Sequence, residues 1–219
     1  MAKKRSAGGS LSWLQPAVLV GALAPIAMLL WLAVRRELGA NPVAEALNQL
    51  GLVALTLLVA SLTCTPLKVV FGWAWPMRLR KTLGLMGFFY AALHASVYTG
   101  LDQVLNLRAI WADVTKRKFI FVGFSALVCL VPLAVTSTAN SIRRLGSKNW
   151  KRLHRLAYLA ASLGVVHFVW RVKADLREPL IYGAVLAALF LVRIVKWLRN
   201  RPKQRPAAPV RTAAVPTTA

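Results

Sequence analysis

Histidine, cysteine and acidic residues are all scarce in this sequence, and each scarcity removes a class of function. The 219 residues include two cysteines and three histidines. Cys64 and Cys129 stand alone in apolar runs, so no CxxCH attaches a haem covalently and no CxxC holds zinc or an iron–sulfur cluster. Both read as small packing residues. Any metal cofactor must then be held mainly by histidine. Asp and Glu number 6 against 29 Lys and Arg, a formal net charge of +23. Such an excess can mark a nucleic-acid binder, but the cations here lie in short clusters between hydrophobic runs, not on one basic domain. That distribution argues against nucleic acid as a partner. No G-x-G-x-x-G occurs and no internal repeat stands out.

Apolar residues are what the chain has in abundance: 58% of it is hydrophobic, with a mean hydropathy of +0.56. These values predict an all-α, polytopic integral membrane protein. Apolar runs of spanning length fall at 13–34, 47–67, 82–100, 119–138, 153–171 and 179–198, predicting a six-transmembrane-helix bundle. The first follows MAKKRSAGGS and resembles a signal peptide, but its apolar part is too long for one. Its only A-x-A, Ala22-Leu23-Ala24, precedes Pro25, which disfavours cleavage. It is expected to remain as the first span, bent by Pro16 and Pro25. Residues 1–12 are expected to form a basic cytoplasmic N-terminus and 13–198 the membrane domain. The Pro/Ala/Thr-rich stretch 199–219 is expected to be a disordered cytoplasmic tail.

Orientation follows from the loops. The N-terminus, the second and fourth loops and the C-terminal end carry 20 of the 29 Lys and Arg residues, and all 6 acidic residues lie in the odd-numbered loops. The basic bias places both termini in the cytoplasm. Tryptophans at 73, 75, 111, 150, 170 and 197, near span ends, read as an interface belt.

The three histidines fall within these apolar stretches. His94 lies in LGLMGFFYAALHASVY; His154 and His167 lie in WKRLHRLAYLAASLGVVHFVW. An ionisable side chain at membrane depth is costly and marks a functional candidate, and imidazole is a common ligand for haem iron between helices. The plainer alternative is a histidine hydrogen-bonded across a helix pair. Spans three and five run in the same direction. His94 follows Lys81 by thirteen residues, about 20 Å along a helix, and His167 follows Arg155 by twelve. Both therefore lie in the outer half, at heights that suit one haem between them. His154 lies about 20 Å further in and cannot share it. The same offset of 73 residues carries His154 onto Lys81, so a second bis-histidine site lacks a partner. Gly84, Gly87 and Ala91 lead up to His94 on one face, and Gly164 precedes His167 on a similar stripe. Such stripes suit a flat macrocycle and also suit close helix packing. Arg78, Arg80 and Lys81 inside, with Arg171 and Lys173 outside, are placed to pair with haem propionates or a flavin phosphate, although interfacial anchoring accounts for most of them.

The segments RKTLGLMGFFYAALHASVY and TSTANSIRRLGSKNWKRLHRLAYLAASLGVVHFVW resemble the haem-binding membrane subunits of bacterial periplasmic methionine sulfoxide reductase systems. These belong to the ferric reductase-like transmembrane group, which also contains the NADPH oxidases. The resemblance covers roughly residues 13–198. It implies a b-type haem, an FMN, residence in the bacterial inner membrane and electrons drawn from the quinone pool. It also implies a heterodimeric partner, a periplasmic molybdenum-cofactor catalytic subunit that reduces methionine sulfoxide in damaged proteins. His94, His154 and His167 fall on the family's haem-associated histidines, with His94 and His167 as the axial pair. The oxidases carry two histidines on each of the two helices, and this sequence departs from them at Lys81. With no room after span six for a nucleotide-binding domain, donor and acceptor are both expected to be external.

A haem with two imidazole ligands keeps no vacant iron position, which suits electron transfer and opposes oxygen binding. The expected function is therefore electron relay without substrate chemistry, with a folded periplasmic acceptor docking over the loops at 35–46, 101–118 and 172–178. The loop LDQVLNLRAIWADVTKRK is expected to lie along the interface. A ferric or cupric reductase is the rival redox reading, favoured by an acidic metal-collecting loop. A non-redox transporter is the rival from another class, favoured by broken helices with paired charges.

Overall fold

The computed structural model describes residues 13–172 and 174–200. The basic N-terminal cluster, Lys173 and the tail from 201 lie outside the described residues, as do the expectations made for them. Within that range the regular elements are helices, with no strand among the described residues: α1 (Leu14–Val34), α2 (Pro42–Val70), α3 (Pro76–Val97), α4 (Leu107–Lys116), α5 (Lys118–Val135), α6 (Ala139–Leu153), α7 (Leu156–Arg171) and α8 (Arg177–Arg199). A π-helical turn, Tyr98–Asp102, continues α3.

Local chemistry sets the ends. Pro42 occupies the first turn of α2, where its missing N–H costs nothing, and the Asn41 side chain accepts from the Ala44 N–H at 3.0 Å. The α2–α3 link turns at Gly72, whose φ of +72° favours glycine, and Pro76 opens α3. Asn106 and Thr138 cap α4 and α6 in the same way as Asn41 caps α2.

Four helices, α1, α2, α5 and α8, are long and apolar enough to cross a membrane; α6 and α7, bent by 41° at their junction, make a fifth if counted as one span. The expected third span differs because α3 begins with Arg78, Arg80 and Lys81 and carries His94, which dilute its apolarity. Taken alone, α7 has only 16 residues. Two expected loops are helical. The outer one contains α4. The basic stretch before the fifth span forms α6, broken at Gly146, where φ is 73° and ψ is 148°.

Packing places α2, α3, α5 and α7 in a ring. The hairpin α2–α3 forms one wall and α5 with α7 the other; α3 meets α5 and α2 meets α7 across the two seams. The register of α2 on α3 is antiparallel: Gly84 faces Ser61, Gly87 faces Leu58 and Gly51 faces His94. α1 packs outside α3, and α8 outside α7 and α2. Most of α1 faces outward, with only Ala22 and Leu29 buried, as expected for a lipid-facing helix that is apolar all round. Its tie to the bundle is Tyr90 of α3, fully buried, whose hydroxyl donates to the Ala22 carbonyl (2.6 Å) and accepts from the Ile26 N–H (3.2 Å). An α-helix would pair that N–H with that carbonyl directly. The hydroxyl thus sits in the ladder beside Pro25, where the helix is already weakened.

Candidate functional site

α3 and α7 stand at opposite corners of the ring, and His94 and His167 meet between them. Their ring centroids are 6.2 Å apart and their planes nearly perpendicular, at 87°. Each imidazole is anchored to the neighbouring helix of its own wall. His94 Nδ1 is 2.9 Å from the Leu47 carbonyl on α2, and His167 Nδ1 is 2.7 Å from the Phe119 carbonyl at the start of α5. A carbonyl only accepts, so Nδ1 carries the proton in both rings and the Nε2 lone pair is left free. Among the described residues neither Nε2 has a hydrogen-bond partner.

Two glycines make room for these rings. A Cβ on Gly51 would lie 3.2 Å from His94 Nδ1, and a Cβ on Gly123 would lie 2.6 Å from His167 Nδ1. Each glycine sits four residues after the carbonyl that its histidine uses, Leu47 before Gly51 and Phe119 before Gly123. One helical turn separates carbonyl from notch, so removing the side chain opens the path to the carbonyl. The same device is built twice, once in each wall. Sequence reasoning missed both glycines, because their role depends on the register of a partner helix.

The small residues expected to suit either a flat macrocycle or close helix packing make helix contacts. Gly84 and Gly87 face Ser61 and Leu58 of α2, and Gly164 faces Leu55 of the same helix. Ala91 packs into the cluster around Tyr90 and Leu50. These absent or short side chains let α3 and α7 approach α2 closely.

His154 is elsewhere, at the end of α6. Its ring stacks on Trp150 at a 3.8 Å centroid separation, and its Nδ1 is 3.1 Å from the Trp150 carbonyl of the preceding turn. Its Nε2 is buried without a partner, and so is Nε of Arg193 on α8. Arg193 reaches from α8 to the Leu62 carbonyl, which Pro66 leaves without its usual helical donor, and lies 5.1 Å over the Tyr158 ring. Arg80, half-buried, is within electrostatic reach of both His154 and Arg193. Arg78 and Lys81 are exposed on the first turns of α3. Arg171, one turn beyond His167, is within electrostatic reach of both paired histidines. Cys64 and Cys129 are free thiols.

The donor set discriminates between kinds of metal. A bare transition ion takes three or four protein ligands, and among the described residues no three His, Cys, Asp or Glu side chains gather for one. A haem iron already has its in-plane nitrogens and asks the protein only for axial ligands. Two neighbouring imidazoles, each with Nδ1 bonded and Nε2 free, match that demand in number. Two metal–imidazole bonds of about 2 Å, with the half-ring beyond each nitrogen, account for a separation of the size seen here. The residues fit a haem.

Membrane helices ringed about a half-buried histidine pair define a class of redox membrane domain, and the comparisons with known proteins agree. Residues 46–165 match the family described as ferric reductase like transmembrane component. A relative from Deinococcus radiodurans, the haem-binding subunit MsrQ of a protein-methionine-sulfoxide reductase, is 50% identical over 195 residues, covering 89% of this chain and 96% of its own. The subunit of the same name from Rhodospirillum rubrum is 49% identical over 192 residues, 86% of this chain and 91% of its own. That from Caulobacter vibrioides is 42% identical over 189 residues, 86% and 90% respectively. The chain is a multi-pass membrane protein of the MsrQ family, within the ferric reductase-like transmembrane group.

Proposed function

We propose that this chain relays electrons from the membrane quinone pool, with FMN, to a periplasmic molybdenum-cofactor subunit that reduces methionine sulfoxide in oxidised proteins. It would do so as a six-span protein of the bacterial inner membrane with both termini in the cytoplasm. The observation that carries the reading is the facing pair His94–His167, each with Nδ1 tied to a carbonyl and Nε2 free.

His94 and His167 would hold a b-type haem through Nε2, and Arg171 would pair with a propionate. When bound, such a haem supplies one-electron transfer without an open iron position for oxygen. The chain's own contribution is pre-organisation. The Leu47 and Phe119 carbonyls fix the tautomer and the ring direction, and an accepting partner on Nδ1 raises the basicity of Nε2. Gly51 and Gly123 keep the rings from being pushed aside. The pair lies half-buried among α2, α3, α5 and α7.

The inner end would serve the donor. The buried Nε2 of His154 offers a lone pair to a quinol hydroxyl, and Arg80 and Arg193 offer donors to a carbonyl or a flavin phosphate. The acceptor would dock over the outer connections, where α4 presents Leu107 and Trp111 outward while Asp113 is held by Tyr98 and Arg117.

Membrane vesicles test the direction of flow. Quinol-reduced haem should be reoxidised by the periplasmic fraction and not by the cytosolic one. Equal reoxidation by cytosol, or charge reversal at Arg108 and Lys116 to Lys118 without effect on transfer, would contradict the proposal.

A further inference from the structure

α6 carries a charge arrangement that the electron-relay reading does not use. After the break at Gly146, Lys148, Lys151, Arg152 and Arg155 follow at spacings of three, four and seven residues, which brings them to one side of the chain. With Ser147 they line a shallow, open cleft on the surface of this one segment. No carboxylate lines it, no acidic residue occurs between Asp113 and Asp175, and among the described residues none of the four forms an ion pair. Like charges at such spacings repel. The opposite side is held to the protein: Trp150 Nε1 donates to the Thr136 carbonyl at 2.9 Å, and its ring stacks on His154. The cationic side is therefore turned outward by tertiary contacts.

We propose that this cleft binds the phosphate headgroup of an anionic phospholipid. The four cations supply the charge complementarity. The choice of a lipid over a soluble phosphate rests on the segment before the Gly146 break and on α7. Ile142 and Leu145, each 38% exposed, are apolar groups just before the Gly146 break, and α6 runs into the apolar α7 at a 41° bend. Exposed aliphatics just before the Gly146 break and cations just after it place apolar and cationic groups side by side at the end of a membrane helix, and basic pockets at such ends bind these headgroups. Arg155, in the cleft, adjoins His154, so a bound headgroup would sit next to the inner histidine.

The test uses the full-length protein loaded with haem and native mass spectrometry in detergent with added phosphatidylglycerol or phosphatidylcholine. The wild type should retain phosphatidylglycerol preferentially, and each of Lys148→Gln, Lys151→Gln and Arg152→Gln should weaken that retention about fivefold. Arg143→Gln with Arg144→Gln, outside the cleft, should weaken it much less. The visible spectrum of each variant checks that it is folded. Equal retention of the two lipids by wild type, or an equal loss from the Arg143 and Arg144 pair, would overturn the proposal. Displacement of the lipid by FMN or inorganic phosphate at micromolar concentration would overturn it in favour of a soluble phosphate ligand.

Discussion

The outer and inner histidines are held by different kinds of contact. His94 and His167 each bond to a carbonyl on another helix, 47 and 48 residues away in sequence, and each fits a notch left by a glycine on that helix. His154 bonds to Trp150 four residues back and stacks on the same residue, with the Leu133 backbone of α5 also near its ring. The outer rings are aimed by the tertiary fold and face one another. The inner ring is held mainly by its own turn and faces no second imidazole; Arg80 of α3 is the cation within electrostatic reach of it.

That contrast can be broken at its notches. Gly123→Ala should have the largest effect, because the new Cβ would lie 2.6 Å from His167 Nδ1. Overpacking of this kind costs about 1–3 kcal/mol, enough to weaken haem retention by roughly five- to a hundredfold. Titration of apoprotein with haemin would measure it. Gly51→Ala meets His94 at 3.2 Å and should cost less, so the order of the two variants is itself a check. Equal effects would mean that the notches do not act through the rings.

Tyr90→Phe should have a smaller effect, on the scaffold. Removing the hydroxyl deprives α1 of its bridge, although the Ile26 N–H and the Ala22 carbonyl can pair directly once it is gone. A loss of about 1 kcal/mol should appear as a lower thermal midpoint, with the haem spectrum unchanged. His154→Ala should have the smallest effect on the outer site: the low-spin spectrum should persist, while reduction by quinol slows. An altered spectrum with normal quinol kinetics would reverse the assignment of inner and outer roles.

Several of these features were legible in the sequence and others were not, for physical reasons. Buried histidines are costly, so two of them at equal depth stand out in an apolar chain, and the structure brings their rings together. The outer segment with Leu107 and Trp111 was expected to lie along the interface and is the helix α4. The basic stretch before α7 was read as a loop because charge there signals topology, yet Thr138 caps a helix and its apolar side docks through Trp150. The glycine stripes on α3 and α7 were associated with a macrocycle and pack against α2. Gly51 and Gly123 were invisible, since a single glycine in an apolar run acquires meaning only from what lies opposite. Arg193 was read as one of the topological charges, and its link to Pro66 emerges only when α8 is laid against α2.

Counting haems tests the central claim most directly. Pyridine haemochrome quantification, with electron paramagnetic resonance on fully loaded oxidised protein, should give one low-spin haem per chain. That haem should survive His154→Ala and be lost in His94→Ala and His167→Ala, with all three variants still inserted in the membrane. Retention of a normal low-spin haem in both outer variants, or two low-spin haems per chain with the second lost in His154→Ala, would contradict the account.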